Sequence, residues 1–372
     1  MSLRVTARGE TTSLADRKRR AGQRLILGLA GASISDEERA LIREVKPAGF
    51  ILFARNVEEP AQVRELNREL SLLVPKSHPA LLTVDQEGGR VRRVKDGATH
   101  FPPLRWLGNC ADLRLTRQFA WALAQEVLAC GFNVNWAPDA DVDSNPKNPV
   151  IGDRSFGRDP DAVAKHVAAY VQATHEAGLM ACVKHFPGHG DTDQDSHLHL
   201  PTVEKELPDL ERCERRPFEA AIRAGVQLIM TAHVVFPALD EDHPATMSSR
   251  VLRGWLREAL GYTGVIVSDD MEMKAVRGRF PLEQQLDLAC RASLDLFLCC
   301  KEPVLQQQAF EQLVRLQEQD PVHDDLATDS EKRVMALRER FLLDAKPPPD
   351  LNVLKSAAAQ DLVQLIRARG EP

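Results

Sequence analysis

Eight short apolar, β-rich runs alternate along this chain with amphipathic helical stretches, and no other feature of the sequence restricts its fold so strongly. The runs are Arg24–Leu29, Gly49–Phe53, Ala80–Val84, Asn133–Ala137, Met180–Val183, Leu228–Thr231, Val265–Ser268 and Leu296–Cys299. Their apolar character is continuous rather than alternating, as expected of parallel strands buried on both faces. Helical periodicity fills the intervals at Asp36–Val45, Pro60–Leu73, Leu113–Ala129, Ala162–Ala177, Pro208–Ala224, Ser249–Leu260, Leu282–Ser293 and Val304–Gln317. Gly178, Gly225 and Gly261 follow the fourth to sixth helices, where a left-handed C-cap must turn the chain into the next strand.

Eight strand–helix pairs are what a closed (β/α)8 barrel of the TIM type requires, and 372 residues hold a barrel of about 250 with insertions. An open doubly wound sheet is the alternative. It usually has fewer strands and a G-x-G-x-x-G turn after the first, a spacing that Gly28-Leu29-Ala30-Gly31 lacks. The expected organisation is a single α/β domain: a poorly ordered extension over 1–22, the barrel over 23–325, and C-terminal helices over 326–372 packing on the barrel, with patterns at Glu331–Leu342 and Val353–Ala368, the last on its exterior.

Composition removes several classes. A net charge of −6 leaves no basic footprint for nucleic acid, and the cluster Arg17 to Arg20 reads as a solvated terminus. The seven cysteines are odd in number, scattered and never spaced as C-x-x-C, which suggests neither disulfide framework nor zinc ribbon and fits a reducing compartment. The first twenty residues have no signal-peptide core, and no run approaches the roughly 18 apolar residues of a membrane span. The expectation is a cytoplasmic protein with neither membrane nor nucleic-acid partner.

In a barrel, function gathers where strands end at the C-terminal face. There the third run leads into Asp85-Gln86-Glu87-Gly88-Gly89-Arg90, the fourth into Asp139 and Asp141, the fifth into Lys184-His185, the sixth into His233 and the seventh into Asp269-Asp270. The segment from Lys184 to His197 is polar, glycine-broken and far longer than the about 2 to 6 residues a connection needs. Three chemistries can use such a set. A zinc hydrolase would draw on His185, His189, His197 and His199, but Pro187-Gly188 keeps the first two off a shared helical face. A phosphate-binding isomerase or aldolase would want a Schiff-base lysine or a glycine-rich loop after strands seven and eight; the last strand runs instead into Cys299-Cys300-Lys301-Glu302. Glycoside hydrolysis needs a carboxylate to attack the anomeric carbon and a proton donor across the bond. Asp269 and His197 fit those roles, His197 with an ordinary pKa of about 6.5 suited to giving and taking a proton, and Asp195 orienting its ring. Gly188 and Gly190 read as a hinge letting Gln194 to Leu198 close over sugar.

The stretch Lys184-His185-Phe186-Pro187-Gly188-His189-Gly190-Asp191, continuing to Asp195-Ser196-His197, resembles the signature of bacterial β-N-acetylhexosaminidases of glycoside hydrolase family 3. Asp85 through Val91, Asn145 through Gly157, Thr231-Ala232-His233, Pro244-Ala245-Thr246 and Val267 through Met271 resemble it too, in the family's order, over roughly residues 23 to 300. The resemblance implies a TIM-type barrel that removes terminal β-N-acetylglucosamine with retention, using no metal and no cofactor, with a small carbohydrate substrate such as a muropeptide of cell-wall recycling. It makes Asp269 the nucleophile, His197 the acid/base and Asp195 its partner, and matches Asp85, Arg93, Arg154, Lys184 and His185 to sugar-binding positions. Two stretches depart from it: Met273-Lys274-Ala275-Val276 lacks a common glycine, and Ala137-Pro138-Asp139-Ala140-Asp141 stands where Ala-Pro-Val-Leu-Asp is usual. A phosphorylase using the same histidine, or a sugar-binding protein without catalysis, remains open at this stage. Trp106, Trp121, Trp136 and Trp255 read as packing residues, Glu87 as orienting the loop of Asp85 and Arg93, and His233 as support behind the site.

Overall fold

The computed structural model describes residues 12–193 and 200–372. Its strands are β1 Leu25–Gly28, β2 Gly49–Leu52, β3 Leu81–Val84, β4 Val134–Asn135, β5 Met180–Phe186, β6 Leu228–Thr231, the short β7 Val235–Phe236 and β8 Asp240–Pro244, β9 Val265–Asp270 and β10 Leu296–Cys299. Eight of them close a barrel in the order β1-β10-β9-β6-β5-β4-β3-β2, every neighbouring pair parallel, while β7 and β8 make a separate antiparallel hairpin after β6. The expected (β/α)8 barrel is therefore the fold. The three glycines read as C-caps have φ of 93°, 83° and 70°, the left-handed region that a side chain disfavours.

The strands' two faces are both apolar, as parallel strands between a barrel interior and a helical shell must be. Ile26, Leu81, Met180, Leu228, Val265 and Leu296 fill the inside, and Leu25, Phe50, Val183 and Ile266 pack outward against helices. The interior is closed from below by a helix over Pro321–Phe341, whose Val334 and Leu337 join the inner cluster. The C-terminal helices were expected to pack on the barrel, and this one does so across its lower opening. The helix begins ten residues before the Glu331 expected of it, because Pro321 at its first turn and the Asp320 cap start it there. The last helix, Ala357–Gly370, does lie outside, Gly370 close against the Trp106 carbonyl.

Other departures have local causes. The terminus expected to be poorly ordered through residue 22 is helical over Leu14–Gly22, capped by Ser13, and its arginines are not free: Arg17 and Arg20 pair with Asp324, and Arg19 and Arg20 with Glu331, acids that the long C-terminal helix supplies. A helix over Leu104–Cys110 was too short to show periodicity. The stretch 208–224 splits into Leu207–Arg212 and Arg215–Arg223, and Arg250–Ala259 winds as a π-type helix, Leu260 N–H reaching back to the Trp255 carbonyl. All seven cysteines are free thiols, and among the described residues no helix is long and apolar enough to cross a membrane.

Candidate active site

The barrel's C-terminal mouth is built on β5, which runs three residues beyond its expected end at Val183. Lys184 pairs in parallel with Asp139 beyond β4, and Ala140 N–H donates to the Lys184 carbonyl at 2.7 Å. This extension carries Lys184 and His185 into a buried ionic network. Lys184 Nζ donates to Asp85 Oδ1 at 2.8 Å and to Glu87 Oε1 at 2.7 Å. Arg154 grips Glu87 through two bonds of 2.9 Å and lies 3.5 Å from Asp139. Arg93 reaches the other Asp85 oxygen at 3.4 Å and stacks over Phe53. Bidentate and charge-assisted pairing of this kind fixes side-chain position as well as charge.

The pairing decides protonation. Burial alone would push Glu87 up, but Arg154 and Lys184 outweigh it and hold the carboxyl far below its ordinary value. Lys184 and Arg154 are correspondingly held as cations. Asp139 goes the other way: burial and the neighbouring Asp141 raise it well above the carboxylate range despite Arg154. Asp141 stays ionised because His185 and His189 overcome its burial; it accepts His185 Nδ1–H at 2.7 Å and the His189 backbone N–H at 2.6 Å. His185 is thereby fixed as the tautomer with its proton on Nδ1.

Asp269 ends the buried run of β9 and is the first residue of that strand partly open to solvent. Its Oδ1 accepts the Asp270 N–H at 2.8 Å. Burial would raise its pKa, but His185, His233, the Asp270 N–H and Lys184 together lower it, so it is an anion at neutral pH. Asp270 beside it is pushed up to about 7, chiefly by burial.

Of the sequence-derived candidates, Asp85, Arg93, Arg154 and Lys184 thus form one network, and His185 with Asp269 stands close enough for their charges to couple. His197 and Asp195 lie outside the described residues, as does the stretch Gln194 to Leu198 expected to close on sugar. The loop before that stretch is pinned: Asn148 Nδ2 donates to the His189 carbonyl at 2.8 Å, Asn145 Nδ2 to the Asp191 carbonyl at 3.1 Å, and Lys205 pairs with Asp191. The two glycines of the expected hinge have a packing role in the structure. A Cβ on Gly190 would stand 1.7 Å from the Val142 carbonyl, and one on Gly188 2.6 Å from the Glu214 side chain, so both glycines serve close packing.

Two carboxylates mattered more than the sequence indicated. Glu87, read as a loop-orienting residue, is the hub shared by Lys184 and Arg154, and Asp141 sets His185. The period-two spacing of Asp139 and Asp141 at a strand end was the available signal. Asp139, Asp141 and His185 also bring three ligand atoms within 4.8 Å of one another, a cation-binding distance. Arg154 beside Asp139 and the two donors on Asp141 already answer that charge, so these residues fit a metal poorly.

A closed parallel barrel whose C-terminal mouth holds an ionised carboxylate facing Lys184, His185 and His233 has the arrangement of a barrel enzyme's site. The glycosyl hydrolase family 3 N-terminal domain matches residues 19–337. A β-hexosaminidase from Nitrosomonas eutropha is 39% identical over 285 residues, 75% of this chain and 81% of that protein, and one from Neisseria meningitidis is 34% identical over 343 residues, 90% of this chain and 88% of that protein. Among solved structures, a family 3 β-N-acetylglucosaminidase from Paenibacillus sp. superposes with TM-score 0.91 at 39% identity, covering 95% of this chain and 68% of that one; native NagZ from Neisseria gonorrhoeae gives 0.78 at 29%, covering 94% and 98%. The chain belongs to glycoside hydrolase family 3 and is a glycosidase.

Proposed function

We propose that this enzyme removes a terminal, non-reducing β-N-acetylglucosamine from a small carbohydrate, with retention of configuration, and that its substrates in the cytoplasm are muropeptides from peptidoglycan. The observation that carries the reading is Asp269: an ionised carboxylate at the end of β9, one oxygen held by a backbone N–H and the other without a hydrogen bond among the described residues. Such a group is suited to attack C1 and form a glycosyl-aspartate. As Asp269 attacks, protonated His197 gives its proton to the oxygen of the departing sugar; neutral His197, oriented by Asp195, then takes a proton from the water that attacks C1 and releases Asp269. Arg93, Arg154, Lys184, Asp85 and His185 bind the sugar's hydroxyl and acetamido groups, their charges already fixed before substrate arrives. No metal or cofactor takes part. The β-hexosaminidase and β-N-acetylglucosaminidase names of the relatives support the choice of sugar.

The test is NMR observation of products from an N-acetylglucosaminyl muropeptide and from chitobiose, with and without inorganic phosphate. Initial release of β-N-acetylglucosamine in both media is expected. An α-configured first product, or a sugar 1-phosphate whenever phosphate is present, defeats the reading.

A further inference from the structure

Two motifs lie near the mouth: Thr231-Ala232-His233 at the end of β6 and Pro244-Ala245-Thr246 after the β7–β8 hairpin. They meet. His233 is buried, its Nε2 lies 3.1 Å from the Asp270 carbonyl, and its Nδ1 lies 2.8 Å from Thr246 Oγ1. A carbonyl can only accept, so Nε2 carries the hydrogen. Burial keeps the imidazole neutral, so Nδ1 is bare and accepts from the Thr246 hydroxyl. Thr246 in turn lies 2.8 Å from the Thr231 hydroxyl, which completes a relay anchored in β6; its 3.1 Å approach to the Ala232 carbonyl is the alternative that the neutral ring outcompetes. The residue gripped at the far end, Asp270, is the one whose N–H holds Asp269 Oδ1.

We propose that His233 is a positioning residue for the nucleophile: its Nε2–H, set by Thr246, holds the Asp270 carbonyl, and so keeps the Asp270 N–H on one oxygen of Asp269 while the other is left to attack. This rests on the reading of Asp269 as nucleophile. The hairpin then has a purpose beyond cover, since it delivers the hydroxyl that selects the histidine's tautomer. The titratable groups facing Asp269 are Lys184 and His185 from β5, His233 after β6, and Asp270 on its own strand.

The test uses the full chain and an aryl β-N-acetylglucosaminide. His233→Ala should lower kcat/KM on the order of 100-fold, as loss of a positioning contact does, while inhibition by N-acetylglucosamine changes less than about twofold. The acid limb of kcat/KM should move to higher pH, because a carboxylate that loses its N–H partner becomes easier to protonate. His233→Gln, which can offer an N–H to the same carbonyl, should recover about tenfold of the loss. Thr246→Val should lose about tenfold with the same shift, and decides the matter if His233→Ala does not fold. An unmoved acid limb, wild-type kcat/KM in His233→Ala or in Thr246→Val, or a rate loss matched by an equal loss of inhibitor affinity overturns the proposal. Asp269→Asn runs alongside: retained turnover there removes the nucleophile reading itself, whatever His233 does.

Discussion

The two ends of the barrel bury charge in opposite ways. At the bottom the deeply buried charges Arg338 and Asp295 are each held by several partners. Arg338 gives Nε–H to the Pro79 carbonyl at 2.9 Å, Nη2–H to the Ala48 carbonyl at 3.1 Å and Nη1–H to the Met335 sulfur. Asp295, fully buried, takes Arg257, Arg333 and the Ile266 N–H. At the mouth, with charges as deeply set, valences are left over: Arg93 Nε and Asp139 Oδ2 are buried without a hydrogen bond, and one oxygen of Asp269 has none among the described residues. A buried polar group without a partner costs about 1–3 kcal/mol, so the bottom, where Arg338 and Asp295 are paired, is built for stability and the mouth for a ligand that completes its charged groups.

The largest effect should separate the ends cleanly. Asp269→Asn should cut turnover by at least about 10⁴-fold. Its thermal midpoint should hold or rise, since the amide oxygen still accepts the Asp270 N–H. A melting curve that collapses along with activity would show the mouth to be structural. Glu87→Ala comes next: it strands Lys184 and Arg154 without their shared counter-ion, an error of about 3–5 kcal/mol in urea unfolding, and activity should go with it. Undiminished stability would mean that Asp85 and Asp139 neutralise both cations unaided. Arg338→Ala is smaller and strictly one-sided. It removes a buried side chain beside the plug and unpairs two carbonyls, costing about 2–4 kcal/mol, while kcat/KM at 25 °C stays within about twofold. A fall in kcat/KM would break the division between the ends.

How much of this was readable in the sequence follows from range. Strands such as Leu228–Thr231 announced themselves because both faces are buried, which leaves an unbroken apolar run; helices announced themselves where glycine must end them. The plug did not, because Val334 and Leu337 sit on an ordinary amphipathic helix, and only the closed barrel reveals that their partners are strand interiors. Lys184, His185 and Asp85 were visible as polar residues at strand ends. The pairing of Lys184 with Glu87 was not, since charge pairing between residues 97 positions apart leaves no local pattern. Gly190 carries a need of the same hidden kind: a glycine required by a carbonyl on another loop looks, in sequence, like one required for motion.

The smallest effect tests the contrast through pH. Asp270 is protonated in the folded enzyme up to about pH 7, against an ordinary value of 3.8. Below about pH 4 both folded and unfolded chains hold that proton, so the residue contributes no pH dependence. Between about 4 and 7 the unfolded chain ionises first, so stability falls as pH rises; above about 7 the deficit is constant. Asp270→Asn keeps the oxygen that accepts the Glu272 N–H and removes the titration, so it should match wild type at pH 4 and exceed it at pH 8, by on the order of 1–3 kcal/mol for a partly open site. Urea midpoints at pH 4, 5.5 and 8 measure this, and a difference that is the same at all three would remove burial as the cause. Arg338 supplies the control. Its guanidinium, pushed down to about 10 by burial, does not titrate in that window, so the deficit of Arg338→Ala should be flat from pH 4 to 8. A sloping mouth beside a flat base separates an end whose charges are poised to change from one whose charges are finished.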